Sequence, residues 1–204
     1  MKKEIELEKI LEHINQNTHS ILEKLDVESI VVYEFLQKEF SKKDVSKDCI
    51  FQFMFRSYYR LDNAGLTTEW KQKYFEAIEK NKNNLFDIKK FLLDFSNIKT
   101  LRKYNSVQFS FATKAWNILD ENKPIYDSFV AKVFNFSPTY SKDINKKIDN
   151  YTDFYKKLEE IYQKILKEDL LKEVLKKFDN KFKNNTLSQI KKIDFIFWAA
   201  GKIK

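Results

Sequence analysis

The residues best suited to chemistry in this chain are Lys114 and Asp127, which lie in the stretch SFATKAWNILDENKPIYDS at positions 110 to 128. Lys114 stands in the opening turn of an apolar segment. An ammonium there faces the positive end of its own helix, and partial desolvation would lower its pKa further. A neutral amine is what nucleophilic catalysis requires. Asp127 follows Pro124, Ile125 and Tyr126 and precedes SFVAKVF, whose apolar spacing predicts a helix. It should therefore occupy that helix's N-terminus and accept hydrogen bonds from the free amides there. A helix climbs about 9 Å from Lys114 to Asp120, and the next seven residues, extended, can cover up to about 23 Å. The chain can thus bring Asp127 back to the level of Lys114. Two readings stay open on geometry alone: a catalytic amine with a carboxylate partner, or an exposed lysine followed by an ordinary helix cap.

Composition removes most competing chemistries. Two glycines and two prolines in 204 residues leave almost none of the turn chemistry that sheet proteins and nucleotide-binding α/β folds need. The expected class is all-α. Gly65 and Gly201 are far apart, so no glycine-rich phosphate loop can be built and no nucleotide cofactor of that kind is expected. Cys49 is the lone cysteine, set in the apolar run CIFQFMF, and is expected to be a buried thiol. His13 and His19 fall on different faces of one helix, so neither a metal site nor histidine-assisted nucleophilic catalysis is expected. The first residues, MKKEIELEKILEHI, thread charges through their apolar positions, and no window approaches a membrane span. A cytoplasmic protein without a membrane partner is the expectation. The net charge of +8 is compatible with a polyanionic partner, and residues 1 to 40 are acidic on balance, so any such surface should lie outside the first helices.

The elements that would position Lys114 and Asp127 follow from apolar periodicity. Leu7, Ile10, Leu11, Ile14, Ile21, Leu22 and Leu25 predict one long first helix, and Asp26 opens a second; together residues 1–45 read as a helical hairpin on a body spanning 46–204, in one domain. Further helices are predicted from Cys49 to Leu61, from Thr67, and from Leu85 to Phe95. The helix carrying Lys114 must stop by Asp120 or Glu121, because Pro124 and the residue before it cannot continue it. Ser137 and Pro138 read as the start of the lysine-rich helices that follow. Thr186 with Gln189 reads as a capping box for the last helix, and Gly201 as its stop. Trp116 is expected in the core, and Glu159 and Glu160 in solvent.

Ser110-Phe111-Ala112-Thr113-Lys114, followed by Pro124-Ile125-Tyr126-Asp127 and SFVAKVF, resembles the helix-hairpin-helix DNA glycosylases, in particular the 8-oxoguanine glycosylase branch and its bacterial relatives. Ser110 and Ala112 stand where that family's hairpin usually has glycines. The closing IDFIFWAAGK is similar to the ends of those proteins. The resemblance implies a compact multi-helix fold with a helix-hairpin-helix-like element. It also implies a bifunctional DNA glycosylase and abasic-site lyase acting on double-stranded DNA that carries an oxidised purine such as 8-oxoguanine. In that scheme Lys114 attacks the sugar and Asp127 stabilises positive charge. Ser110, Phe111, Ala112, Thr113 and Ser128 contact phosphates, Trp198 lines the base pocket, and a monomer works without cofactor or metal. The competing expectation is a non-enzymatic helical module of the same fold that binds nucleic acid or protein.

Overall fold

The computed structural model describes residues 6–204. Among these, 68% are helical and no strand occurs, which settles the all-α class. In chain order the helices are α1 (Leu7–Gln16), α2 (Thr18–Glu23), α3 (Val27–Lys42), α4 (Cys49–Tyr59), α5 (Thr68–Lys80), α6 (Ile88–Ser96), α7 (Phe109–Leu119), α8 (Ser128–Val133), α9 (Ile144–Lys167), α10 (Lys172–Lys181) and α11 (Gln189–Ile203). A 3₁₀ turn, Leu61–Ala64, follows α4.

Each helix contributes buried apolar side chains to one core. α11 lies at its centre: from Ile190 to Gly201 every residue except Trp198 is buried, so the helix is enclosed on nearly all sides. It packs against α8, α2, α10 and α9, while α3 pairs with α4 and α6 touches both α7 and α9. Around α5 and α6 the core is aromatic, with Trp70 stacked on Tyr74 at 5.1 Å and Phe91 on Phe95 at 4.2 Å between ring centres.

Several predicted boundaries move, each for a local reason. The long first helix is broken at Asn17, whose side chain donates to the His13 carbonyl while the Thr18 hydroxyl donates to that of Ile14. Such side-chain bonds compete with the helical ladder and bend it. The first described helices pack on the body, α2 on α11 and α3 on α4. Cys49 is exposed as the first residue of α4, on the turn facing away from the core. α6 begins only after Asp87, which caps it, leaving Leu85 in solvent.

Ser137 and Pro138 do not start a helix. The side chain of Asn150, reaching back from α9, takes the Thr139 amide at 3.0 Å, and Asp143 caps α9 instead. Thr186 is turned away from the last helix to bond Glu34, so Ser188 is the cap of α11. Gly201 does not end α11, which continues to Ile203. Glu159 pairs with Lys123 at 2.9 Å rather than standing in solvent.

Candidate active site

The segment that delivers Asp127 is held by α7 on one side and by α9 and α11 on the other. Thr113 accepts the Tyr126 amide at 3.0 Å, and Asn117, one turn on, donates to the Lys123 carbonyl at 2.8 Å. From the other side the Tyr155 hydroxyl donates to the Pro124 carbonyl at 2.7 Å, and the Asp194 carboxylate accepts the Ile125 amide at 3.1 Å. Every residue from Lys123 to Tyr126 thus has a backbone group tied to a side chain of the surrounding helices. The loop doubles back beside α7, so the residues immediately after the Thr113–Tyr126 link, Lys114 and Asp127, come to the same level.

Asp127 caps α8 through one oxygen. Its Oδ1 accepts the amides of Phe129 and Val130, both at 2.9 Å, and its Oδ2 accepts no hydrogen bond among the described residues. A half-buried carboxylate with one anchored and one open oxygen can serve as cap and as electrostatic partner at once.

Lys114 is buried, with 8% of its surface exposed. It lies in the second turn of α7, because that helix begins at Phe109 rather than next to the lysine. Its Nζ donates to Ser110 Oγ at 2.9 Å and stands 4.8 Å from the centre of the Phe111 ring and 5.6 Å from that of Tyr59. One hydroxyl and two ring faces are poor replacements for the hydration of an ammonium. Burial therefore pulls the Lys114 pKa down to about 8; the charge on Asp127 pulls the other way, and that on Lys191 adds to the lowering. The predicted depression is present, and its main cause is desolvation. Lys114 and Asp127 form no direct ion pair and interact through space.

The residues predicted to grip phosphates are placed differently from expectation. Phe111, Ala112 and Thr113 are buried in α7, and the amides of Phe111 and Ala112 both donate to the Gln108 carbonyl at 3.1 Å. They form part of a regular helix, and no hairpin turn is present at these positions. The open amides at this end belong to Phe109 and Ser110, since no side chain caps α7. Ser128 is exposed at the start of α8.

Trp198 is half-buried on α11, edge-on to Phe129 with 6.0 Å between ring centres, which places it beside the cap formed by Asp127. The Lys202 ammonium lies over its ring at 3.4 Å. Trp116 instead stacks on Tyr155 at 5.3 Å.

Periodicity did not point to Lys191 and Asp194, although a visible signal existed in an aspartate inside the apolar run IDFIFWAAG. Both are almost fully buried, and Lys191 Nζ lies 3.5 Å from Asp194 Oδ2. Burial raises Asp194 to about 6 and lowers Lys191, with each partner's charge opposing the other's shift.

A groove of about 790 Å³ lies between α5 and the end of α6, lined among others by Lys73, Glu76, Asp94 and Lys99, and Lys114, Asp127, Lys191 and Asp194 are not part of its lining. No group of histidine, cysteine, aspartate and glutamate side chains among the described residues could hold a metal ion, and no helix there is long and apolar enough to cross a membrane. Comparison with protein families, with curated proteins and with solved structures finds no match for this chain.

Proposed function

We propose that the protein is a DNA glycosylase with abasic-site lyase activity that uses the Lys114 amine as its nucleophile. The observation that carries this reading is a buried amine poised near pH 8 at the level of a carboxylate with a free oxygen. An amine with that pKa is about one-tenth unprotonated at pH 7, hundreds of times more than an ordinary lysine, so a usable share of nucleophile is present.

The chemistry runs as follows. A nucleotide carrying an oxidised purine leaves the duplex, as enzymes acting on bases require. The Lys114 nitrogen bonds to C1′ of the deoxyribose as the C1′–N bond to the base breaks, and the base departs with the electron pair and takes up a proton. Asp127 Oδ2 faces the positive charge that builds on the sugar. Opening of the sugar ring gives an iminium between Lys114 and C1′. Loss of a C2′ proton then expels the 3′ phosphate and cuts the strand.

The rest of the molecule supports DNA as the partner. The net charge is +8, the segment leading into α7 exposes Arg102, Lys103 and Tyr104, and no side chain caps that helix. Phosphate contacts are assigned to the Phe109 and Ser110 amides and to Ser128, and stacking on the base to Trp198.

Borohydride trapping on duplexes containing 8-oxoguanine or an abasic site tests the reading. A covalent protein–DNA adduct is expected with the native chain and none with Lys114→Gln. Absence of an adduct on both duplexes overturns it. A salt-sensitive DNA complex without any adduct would identify a binding module instead.

A further inference from the structure

Lys191 is unusual on geometric grounds alone. It lies in the first turn of the most enclosed helix in the protein, is 4% exposed, and has an ammonium with three donors. Among the described residues its ion-pair partner is Asp194 Oδ2 at 3.5 Å, too long for a strong charge-assisted hydrogen bond, and the Asp127 charge reaches it only through space. The remaining contacts are aromatic faces, Tyr33 at 4.3 Å and Phe195 at 5.0 Å from the ring centres. Meanwhile the Asp194 carboxylate is largely occupied elsewhere, accepting the Tyr162 hydroxyl at 2.8 Å and the Ile125 amide. A buried ion pair this loosely joined is poor at stabilising a fold, and a well-packed apolar pair would do as well or better.

The position of the pair suggests its use. The Tyr33 ring under Lys191 carries a hydroxyl that donates to Asn117 at 3.1 Å, one turn along α7 from Lys114. Asp194 holds the amide two residues before Asp127. Lys191 is thus tied through Tyr33 to the helix that carries the amine, and through Asp194 to the loop that carries the carboxylate.

We propose that Lys191 is a positioning residue of the Lys114 centre, an ammonium mounted in the core by Asp194, Tyr33 and Phe195 and tied through them to both elements of the site, so that it acts on the amine from the α11 side. A second cation nearby disfavours protonation of Lys114, in keeping with the lowering its charge exerts there. The other groups facing the amine are Asp127 from the start of α8, the Tyr59 ring from α4, and Ser110 from its own helix. The purpose of the arrangement rests on the glycosylase reading. Its effect on the amine does not, and can be measured without DNA.

The test is reductive methylation of the full chain with formaldehyde and cyanoborohydride across a pH series, with labelling of the Lys114 peptide followed by mass spectrometry. The native protein should show a midpoint at about 8. In Lys191→Met the cation facing Lys114 is gone, and Asp194, without its counter-charge, is pushed further towards its neutral form by burial. The Lys114 midpoint should then move to higher pH, and its labelling rate at pH 8 should fall roughly threefold or more. The double variant Lys191→Met with Asp194→Asn reaches the same charge state without a buried acid and should give the same shift, which keeps the test decisive if the single variant folds poorly. An unchanged midpoint in either variant, once folding is confirmed by circular dichroism, overturns the proposal. A native chain that shows the shift but forms no borohydride adduct with DNA would sink the glycosylase reading while leaving the role of Lys191 standing.

Discussion

The Thr113 hydroxyl and the Tyr126 amide are joined by a buried hydrogen bond of 3.0 Å, and the residues that follow them in sequence are Lys114 and Asp127. This link, accompanied by a longer bond from the same hydroxyl to the Tyr126 carbonyl at 3.3 Å, sets the register between amine and carboxylate. Thr113→Val is nearly isosteric and leaves the Tyr126 N–H without a partner in the core, which costs about 1–3 kcal/mol. The expected result is a loss of that size in urea denaturation. Lys114 should also label at lower pH, because the displaced Asp127 no longer favours its ammonium.

A second prediction concerns Gly201 and has a sign opposite to the usual one. Replacing glycine by alanine inside a helix ordinarily stabilises by roughly 0.5–1 kcal/mol. A Cβ on Gly201, however, would stand 2.3 Å from the Phe129 carbonyl oxygen and 2.6 Å from its carbon, both backbone atoms that cannot rotate away. α8 and α11 would have to separate, and overpacking of this kind costs about 1–3 kcal/mol. Gly201→Ala is therefore expected to lower the melting temperature, and to weaken any borohydride trapping, since Phe129 also donates its amide to Asp127.

Lys114 should leave a pH signature on stability. Unfolded, it titrates at its ordinary 10.5, and folded at about 8. Below pH 8 it is protonated in both states, and the buried charge weakens the fold by its full amount, on the order of 3 kcal/mol. Between 8 and 10.5 the unfolded chain holds a proton that the folded chain has released, so this contribution to stability rises with pH. Lys114→Met should be more stable than the native protein at pH 7, and the gap should close towards pH 10.5. Parallel urea titrations at pH 7 and pH 10 measure it; a constant gap would contradict a depressed amine.

The parts of this architecture that could be read from sequence are those fixed by local chemistry. Trp70, Tyr74, Phe75 and Ile78 recur at helical spacing and are all buried in α5 behind the Thr67 cap. Pro124 ends the reach of α7, and Asp127 caps α8, both as local rules require. What escaped reading depends on distant partners. Ser137 and Pro138 carry a valid start signal that Asn150 overrides, and Thr186 is claimed by Glu34, 152 positions away. Gly201 has the residue type of a helix stop, yet it is small because Phe129 lies against it. The candidate site divides the same way. Lys114 and Asp127 stand out by residue type beside a proline, while Lys191 and Asp194 acquire meaning only once α11 is surrounded. The depressed amine is expected from a helix end and partial desolvation together, and of the two it is burial that produces it.

The tyrosines beneath Lys114 supply the last prediction. Tyr59 is buried, with the Lys114 ammonium 5.6 Å from its ring centre, and its hydroxyl has no hydrogen-bond partner among the described residues. Tyr74, buried more fully and 5.9 Å from Phe55 where Tyr59 is 4.6 Å from it, donates its hydroxyl to the Phe111 carbonyl at 2.9 Å. Removing a satisfied hydroxyl forfeits about 1 kcal/mol, whereas removing an orphaned one relieves a desolvation cost of about 1–3 kcal/mol and loses no bond. Tyr74→Phe should therefore lower stability, and Tyr59→Phe should leave it unchanged or raise it, as read by urea midpoints at fixed pH. A matching loss in both variants would mean that Tyr59 has a partner in solution. With the hydroxyl gone and the ring kept, Tyr59→Phe should preserve the low pKa of Lys114, because an aromatic wall desolvates the amine whether or not it carries oxygen.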